Sequence, residues 1–78
     1  MKKEVTIYGM ESCHYCHLAK DYFNENNIEY TEFDVLADAD RRKEAQEKSG
    51  QMGVPVIIIG DEVVVGFDVE RVEKALRG

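Results

Sequence analysis

The sequence predicts an α/β domain in which four strands form one mixed sheet and three helices cover both of its faces. Strand-like and helix-like patterns alternate along the whole chain in the order β-α-β-α-β-β-α. The first strand, helix and strand should form a right-handed unit with parallel strands. Only a turn separates the last two strands, so these should pair as an antiparallel hairpin.

The first strand and the first helix lie on either side of the two cysteines. Residues 3–8 are rich in β-branched and aromatic side chains, which favours a strand, and Gly9 ends it. Apolar residues then recur at helical spacing, which predicts a helix over about residues 15–25. The turn-forming pair Asn26-Asn27 ends this helix. Its apolar face contains Tyr15, Leu18, Ala19, Tyr22 and Phe23.

The middle of the chain predicts a second strand and a second helix. Residues 28–35 alternate apolar and polar side chains, as in a strand with one buried face. Asp38 can cap a helix that runs to about Ser49, and Gly50 ends it. The apolar face of this helix is thin.

The last third of the chain predicts a hairpin and a closing helix. Residues 54–60 predict a strongly apolar strand, and the almost continuous hydrophobicity of residues 56–59 indicates that it is central and covered on both faces. Asp61 and Glu62 form the expected turn to a short fourth strand over residues 63–65. Asp68 can cap the final helix, whose apolar side contains Val69, Val72, Ala75 and Leu76. We expect a packing role without chemistry for Tyr8, Tyr22, Phe23, Tyr30 and Phe33.

Composition and charge exclude several classes of function. The 78 residues suffice for one domain, spanning residues 1–78. The formal net charge is −6, and acidic residues flank the longest positive run, residues 41–43, which argues against nucleic-acid binding. The N-terminus does not resemble a signal peptide, and no segment approaches the length of a membrane span. We therefore expect a cytoplasmic protein, without a membrane partner, in a compartment that keeps thiols reduced. A monomer is also expected.

The two cysteines, Cys13 and Cys16, form a C-x-x-C pair between the first strand and the first helix. Such a pair fits either a reversible disulfide or half of a metal site. Cys13 falls at or just before the helix N-terminus, where unpaired backbone N–H groups and the helix dipole stabilise an anion. We expect Cys13 as a thiolate, and Cys16, one turn further in, as a more buried and less ionised thiol. This asymmetry predicts that Cys13 attacks a substrate disulfide and that Cys16 resolves the mixed disulfide.

Three short motifs give the chain a resemblance to a known family. They are Cys13-His14-Tyr15-Cys16, Val54-Pro55 and Gly66-Phe67-Asp68. In this order and at this chain length, they resemble the glutaredoxin family of the thioredoxin fold, and most of all its short, single-domain members. The resemblance implies a dithiol disulfide oxidoreductase that requires no metal or organic cofactor. Its substrates would be disulfide-containing proteins or glutathione mixed disulfides, with glutathione or thioredoxin reductase as the electron donor.

The resemblance also implies roles for the residues around the thiols. Pro55 would follow a cis peptide bond beside Cys13, and the backbone of Val54 would pair with an extended substrate. The carboxylate of Asp68 would be available to the γ-glutamyl amine of glutathione. The other residues of the substrate or glutathione site would be Tyr15, Gly66 and Phe67.

Several positions depart from the family pattern. Many members have proline where this chain has His14, and an imidazolium there would stabilise the neighbouring thiolate. An exposed histidine without a role is the other interpretation. Glutathione-using members carry basic residues at the positions of Met10 and Met52, which leaves glutathione binding open. Phe67 instead resembles the NrdH-redoxin type, which thioredoxin reductase recharges.

Metal chemistry at the same cysteines is the alternative hypothesis. An iron–sulfur cluster or metal-binding module would hold its ligand through Cys13, as some relatives do between two subunits. Cys13-x-x-Cys16-His17 also matches the attachment motif for c-type haem, which the β-rich order of elements disfavours. A zinc site would crowd its ligands into five consecutive residues, where tetrahedral closure is poor.

Overall fold

The computed structural model describes residues 3–51 and 53–77. Within these residues the chain forms the predicted order of elements, and the four strands make one sheet in the order β2-β1-β3-β4. The predicted fold class is therefore confirmed. The elements are β1 (Val5–Gly9), α1 (His14–Glu25), β2 (Thr31–Asp34), α2 (Ala39–Ser49), β3 (Val56–Ile59), β4 (Glu62–Val65) and α3 (Val69–Arg77).

The pairing of the strands decides which loops lie together. β1 is parallel to β2, whereas β3 is antiparallel to both β1 and β4. Gly9 at the end of β1 lies opposite Asp34 at the end of β2. Tyr8 lies opposite Val56 at the start of β3, and Val56 lies opposite Val65 at the end of β4. One end of the sheet therefore collects the loops that follow β1, β2 and β4 and the loop that precedes β3.

The sheet separates two hydrophobic clusters. The larger cluster lies under α1 and α3, and the smaller one lies under α2. Because alternate residues of β3 face opposite clusters, this strand is buried on both faces, as its continuous apolar sequence predicts. The buried residues of the larger cluster are Val5, Ile7, Ala19, Phe23, Ile57, Ile59, Val64, Val72 and Ala75. Those of the smaller cluster are Tyr8, Val35, Ala45 and Val56.

Capping residues that are recognisable in the sequence define both ends of α2. The side chain of Asp38 accepts hydrogen bonds from the N–H groups of Asp40 and Arg41 at 3.1 and 3.2 Å. Gly50 ends the helix with φ of +74°, a left-handed conformation that glycine adopts without steric cost. Both predicted caps are confirmed.

Both the small buried residue Ala45 and several polar side chains hold α2 against the sheet. The Tyr8 hydroxyl donates a hydrogen bond to the carboxylate of Glu44. Burial, followed by this hydrogen bond, raises the pKa of Tyr8 to about 12, so the hydroxyl keeps its proton at neutral pH. Arg41 lies 3.1 Å from Glu44 and 4.0 Å from the centre of the Phe33 ring. Tyr8 and Phe33 belong to or pack against the smaller cluster, which agrees with their prediction as core or sheet-face aromatics, and both also make polar contacts with α2.

The predicted boundaries of β1 and β2 need correction. β1 is Val5–Gly9 instead of residues 3–8, and β2 is Thr31–Asp34 instead of residues 28–35. β2 is an edge strand whose pairing with β1 begins with Thr31 opposite Thr6, and the residues before Thr31 form no ladder with β1. Ile28 and Tyr30 nevertheless pack against the larger cluster, which explains their apolar character.

The hairpin turn lies one residue earlier than predicted, and β3 is Val56–Ile59 instead of residues 54–60. Glu62 pairs with Ile59 and belongs to β4, which leaves Gly60 and Asp61 as the turn. The apolar faces of two helices are also less buried than their periodicity predicts. Tyr15 and Leu18 of α1 are 58% and 37% exposed, and Val69 of α3 is 39% exposed.

Replacement of Ile57 by alanine should destabilise the fold much more than the same change at its neighbour Ile58. Ile57 is fully buried in the larger cluster, whereas Ile58 on the other face of β3 is only partly buried. Truncation at a fully buried isoleucine lowers the free energy of unfolding by about 2 to 5 kcal/mol, because a cavity remains. Urea denaturation of Ile57→Ala and Ile58→Ala measures the difference, and equal losses would contradict this description of the core.

Candidate functional site

Cys13 lies where the loop after β1 enters α1, and it is the N-cap of that helix. Its N–H donates to the Met10 carbonyl at 3.1 Å, which closes the loop. Its Sγ accepts a hydrogen bond from the N–H of Cys16 at 3.2 Å. The sulfur is partly exposed and lies at the end of the helix where backbone N–H groups favour negative charge. This is the position that the sequence predicts for it.

Cys16 lies on the inner face of α1 and is 1% exposed. A Cβ atom at residue 9 would lie only 2.7 Å from Cys16 Sγ, so Gly9 allows the helix to rest directly on the end of β1. Burial, followed by the hydrogen bond with Cys13, raises the pKa of the Cys16 thiol to about 12. The charge of Lys20 opposes this rise without cancelling it. At neutral pH the Cys16 thiol therefore keeps its proton, as predicted.

The second and third motifs lie at the same end of the sheet as the cysteines. The Val54–Pro55 peptide bond is cis, as expected, and Pro55 is buried. The Pro55 carbonyl accepts a hydrogen bond from the N–H of Gly66 at 2.8 Å, which joins the two motifs. Because Val56 lies opposite Tyr8, Pro55 lies at the end of β1 from which the Cys13 loop departs.

Phe67 and Asp68 lead from the third motif into α3. The Phe67 ring lies 5.8 Å from the ring of Tyr22 on α1. Asp68 is exposed, and its side chain accepts hydrogen bonds from the N–H groups of Glu70 and Arg71 at 3.1 and 3.4 Å. The predicted cap of α3 is confirmed.

The two residues between the cysteines point outward. His14 and Tyr15 are both exposed, and their rings meet edge-on with centroids 5.7 Å apart. The Nε2 atom of the His17 ring is hydrogen-bonded to the carbonyl of Glu11. His17 is exposed, which agrees with its prediction as a surface residue.

Sequence reasoning missed three features near the thiols. The contact between Gly9 and Cys16 is the first, and a glycine directly before the C-x-x-C loop was its only signal. The second is an ion pair of 2.7 Å between Lys20 and Glu32, which ties α1 to β2. The third is Met10, which packs against the smaller cluster. Met52, the other departure from the basic family pattern, lies outside the described residues.

Two cavities open on the α1–β2 side of the molecule. The smaller, of about 360 Å³, is lined by Met10, Glu11, His17, Lys20, Glu32 and Asp34. A larger open depression of about 1430 Å³ runs along β2 and the loop before it, and neither cysteine lines it. Cys13 lines neither of these two cavities and is partly exposed.

The described part of the chain lacks two other kinds of feature. In residues 3–51 and 53–77, no three His, Cys, Asp or Glu side chains come together in a group suited to a metal ion. Over the same residues, no helix has both the length and the apolar character needed to cross a membrane.

Comparison with known proteins gives a consistent result. A family profile described as glutaredoxin matches residues 5–64. The chain is 33% identical over 72 residues to an uncharacterized glutaredoxin-like 8.6 kDa protein in the rubredoxin operon of Clostridium pasteurianum, covering 92% of this chain and 96% of that protein. It is 34% identical to glutaredoxin 3 of Escherichia coli over 64 residues, with 82% and 77% of the two chains covered. The solved structure of the glutaredoxin-like protein NrdH-redoxin from Escherichia coli superposes with a TM-score of 0.80 at 25% identity, covering 91% and 92%.

The architecture of the sheet and helices and its agreement with solved structures define a protein of the thioredoxin-like fold. The profile match over most of the chain and the identity to glutaredoxin 3 narrow this class further. The chain belongs to the glutaredoxin family, whose members are thiol oxidoreductases. The resemblance found in the sequence is thereby confirmed.

The buried Cys16 thiol should make the fold less stable in alkaline solution. Its pKa is about 12 in the folded chain, whereas a free cysteine has a pKa of about 8.5. Above that lower value the unfolded state binds fewer protons than the native state, so the free energy of unfolding falls by up to about 1.4 kcal/mol per pH unit. The contribution is complete below the unfolded pKa and is lost as the pH rises toward the folded value.

Urea denaturation of the reduced protein between about pH 7 and pH 10 measures this effect, since tyrosines titrate mainly above that range. The Cys16→Ala variant is the control and should show the smaller alkaline loss. The same pH dependence in both proteins would contradict the assignment to Cys16.

Proposed function

We propose that the protein is a dithiol disulfide oxidoreductase in which Cys13 is the nucleophile and Cys16 is the resolving thiol. The observation that carries this proposal is the asymmetry of the pair. Cys13 is a partly exposed N-cap, whereas Cys16 is 1% exposed and has a pKa raised to about 12. A substrate disulfide can therefore reach the sulfur of Cys13, and Cys16 acts after the first bond has formed.

The reaction consists of two exchanges of sulfur. The Cys13 thiolate attacks a substrate disulfide, a mixed disulfide forms, and the first substrate sulfur leaves as a thiolate that takes a proton from water. Cys16 then loses its proton and attacks the sulfur of Cys13, which releases the second substrate thiolate. The substrate has gained two electrons and the protein holds a Cys13–Cys16 disulfide. Two glutathione molecules, or NADPH through thioredoxin reductase, return the two electrons.

The surroundings of Cys16 support the order of these steps. Burial is the main cause of the raised pKa of Cys16, and a hydrogen bond with Cys13 and the charge of Cys13 add to it. Both contributions disappear once Cys13 has become part of a neutral mixed disulfide, while the opposing charge of Lys20 remains. Deprotonation of the resolving thiol therefore becomes easier in the intermediate that needs it.

The substrate would bind at the end of the sheet where the three motifs meet. The hydrogen bond from Gly66 to Pro55 and the register of β1 and β3 support this placement. The backbone of Val54 would pair with an extended substrate, which gives affinity with little dependence on its side chains. The other contacts would come from Tyr15, Gly66, Phe67 and Asp68.

The proposal also covers the cofactor requirement, the cellular location and the oligomeric state of the protein. The two thiols hold both electrons, so the reaction requires no metal or organic cofactor. The proposed direction of the reaction, reduction of substrate disulfides, is favoured where thiols are kept reduced, so we propose a cytoplasmic location. Residues 1–78 would act as a single domain and as a monomer.

Substitution of each cysteine by serine should have a different effect. Cys13→Ser should abolish all reduction of disulfides, because serine is not a nucleophile toward sulfur at neutral pH. Cys16→Ser should keep the reduction of glutathionylated substrates, in which glutathione itself resolves the intermediate. Turnover of a glutathionylated peptide and of a protein disulfide by both variants provides the test, with circular dichroism to confirm folding. Retained activity in Cys13→Ser would refute the mechanism.

The electron donor can be identified by following NADPH in two parallel assays. One contains glutathione and glutathione reductase, and the other contains thioredoxin reductase. Similarity to glutaredoxin 3 supports the first donor, and similarity to NrdH-redoxin supports the second. We expect NADPH consumption in at least one of them. Inactivity in both would contradict the oxidoreductase proposal and favour the cluster-binding alternative at Cys13.

A further inference from the structure

One flank of α1 carries apolar side chains that packing against the hydrophobic core leaves partly or largely exposed. Tyr15 and Leu18 are 58% and 37% exposed, and Tyr22 is half-buried. Their spacing of three and four residues aligns them along the helix. They lie beside the buried face, which consists of Cys16, Ala19 and Phe23. We name Tyr15, Leu18 and Tyr22 the α1 stripe.

The α1 stripe connects the cysteine pair to the third motif. At one end is Tyr15, between the two cysteines, and at the other end the Tyr22 ring lies 5.8 Å from Phe67. The opposite flank of α1 faces β2, because Lys20 forms an ion pair of 2.7 Å with Glu32. β2 and β4 are the two edges of the sheet, so the stripe faces the β4 side. A partner whose disulfide reaches Cys13 from this side must lie over the stripe.

The stripe is longer than a tripeptide thiol can cover. Tyr15 and Tyr22 are seven residues apart, which corresponds to about 10 Å along a helix. An extended tripeptide spans at most about 10 Å, and one joined to Cys13 through its middle residue reaches about half of that to either side. Glutathione would therefore contact Tyr15 and leave Leu18 and Tyr22 exposed, whereas a longer polypeptide would cover all three.

Acidic side chains border the stripe. Asp21 and Glu25 are exposed on α1 at helical spacing from Leu18 and Tyr22. Burial raises the pKa of Tyr22, and the charge of Glu73 on α3 adds to the rise, whereas that of Arg77 opposes it. The net charge of the whole chain is −6. A complementary partner would present apolar side chains at its centre and basic side chains at its edges.

We propose that the α1 stripe is a docking surface for polypeptide disulfides whose cysteine is flanked by apolar and then basic side chains. The inference rests on the proposed thiol chemistry and names its substrate class. Exposed aromatic and aliphatic side chains that adjoin a reactive group form the kind of patch that supplies most of the affinity at a binding surface. Such polypeptides are then better substrates than disulfides of the size of oxidised glutathione.

The test compares two disulfides in single turnovers of the pre-reduced protein, which needs no reductase. One is oxidised glutathione. The other is the disulfide-linked dimer of a peptide of about twelve residues, long enough to cover the stripe when extended. This peptide has a central cysteine flanked by Leu and Phe, with Lys at both ends. The quantity measured is the ratio of the two second-order rate constants.

Leu18→Gln removes the aliphatic surface in the middle of the stripe without changing the charge. We expect it to lower the ratio of peptide to glutathione rate constants by about fivefold to tenfold, as the loss of part of one buried leucine implies. Leu36→Gln is the matched control, because Leu36 is 64% exposed and lies after β2, on the other side of α1. Its ratio should equal that of the wild type. Leu18→Ala, which retains helix propensity, should shift the ratio in the same direction.

Four results would overturn the proposal. The first is an unchanged ratio in both Leu18 variants, and the second is an equal decrease in Leu36→Gln. The third is a peptide in which Glu replaces every Lys and which reacts as fast as the Lys-flanked peptide. That result would show that basic flanking side chains are not recognised. The fourth is a wild-type protein that reduces neither disulfide, which would refute the thiol chemistry itself and is thereby distinct from the other three.

Discussion

The contact between Cys16 and the backbone of Gly9 determines the geometry of the thiol pair. A Cβ at residue 9 would lie 2.7 Å from Cys16 Sγ, so glycine is what lets α1 pack directly on the end of β1. With Cys16 held against the strand, the N-cap position falls at Cys13, whose sulfur meets the N–H of Cys16 at 3.2 Å. One packing contact thus produces a buried, protonated thiol and an accessible sulfur within a single turn of helix.

The register of the sheet brings the rest of the site to these thiols. Since β3 runs antiparallel to β1, the buried Pro55 lies at the end of the sheet where the Cys13 loop begins. The pairing of β3 with β4 brings Gly66 there as well, and its N–H bonds the Pro55 carbonyl at 2.8 Å. Residues more than forty positions apart in the sequence are therefore placed together by backbone pairing. This leaves the side chains at the surface free to select substrates.

Features encoded by a few neighbouring residues could be predicted from the sequence, and features that depend on distant partners could not. The caps at Asp38 and Gly50 are local, and so is the position of Cys13 at a helix N-terminus. The start of β2 depends instead on where β1 can pair, and periodicity alone gave Ile28 to that strand. Periodicity also cannot distinguish an apolar residue that is buried in the core from one that remains exposed, as Leu18 does.

The central claim is that Cys13 is accessible whereas the Cys16 thiol is buried and protonated, and limited alkylation tests it most directly. The reduced native protein is treated with iodoacetamide at neutral pH, and the modified peptides are identified by mass spectrometry over time. We expect modification of Cys13 first, while Cys16 stays unmodified until the protein is unfolded in urea. Equal rates at the two residues, or modification of Cys16 first, would contradict the account.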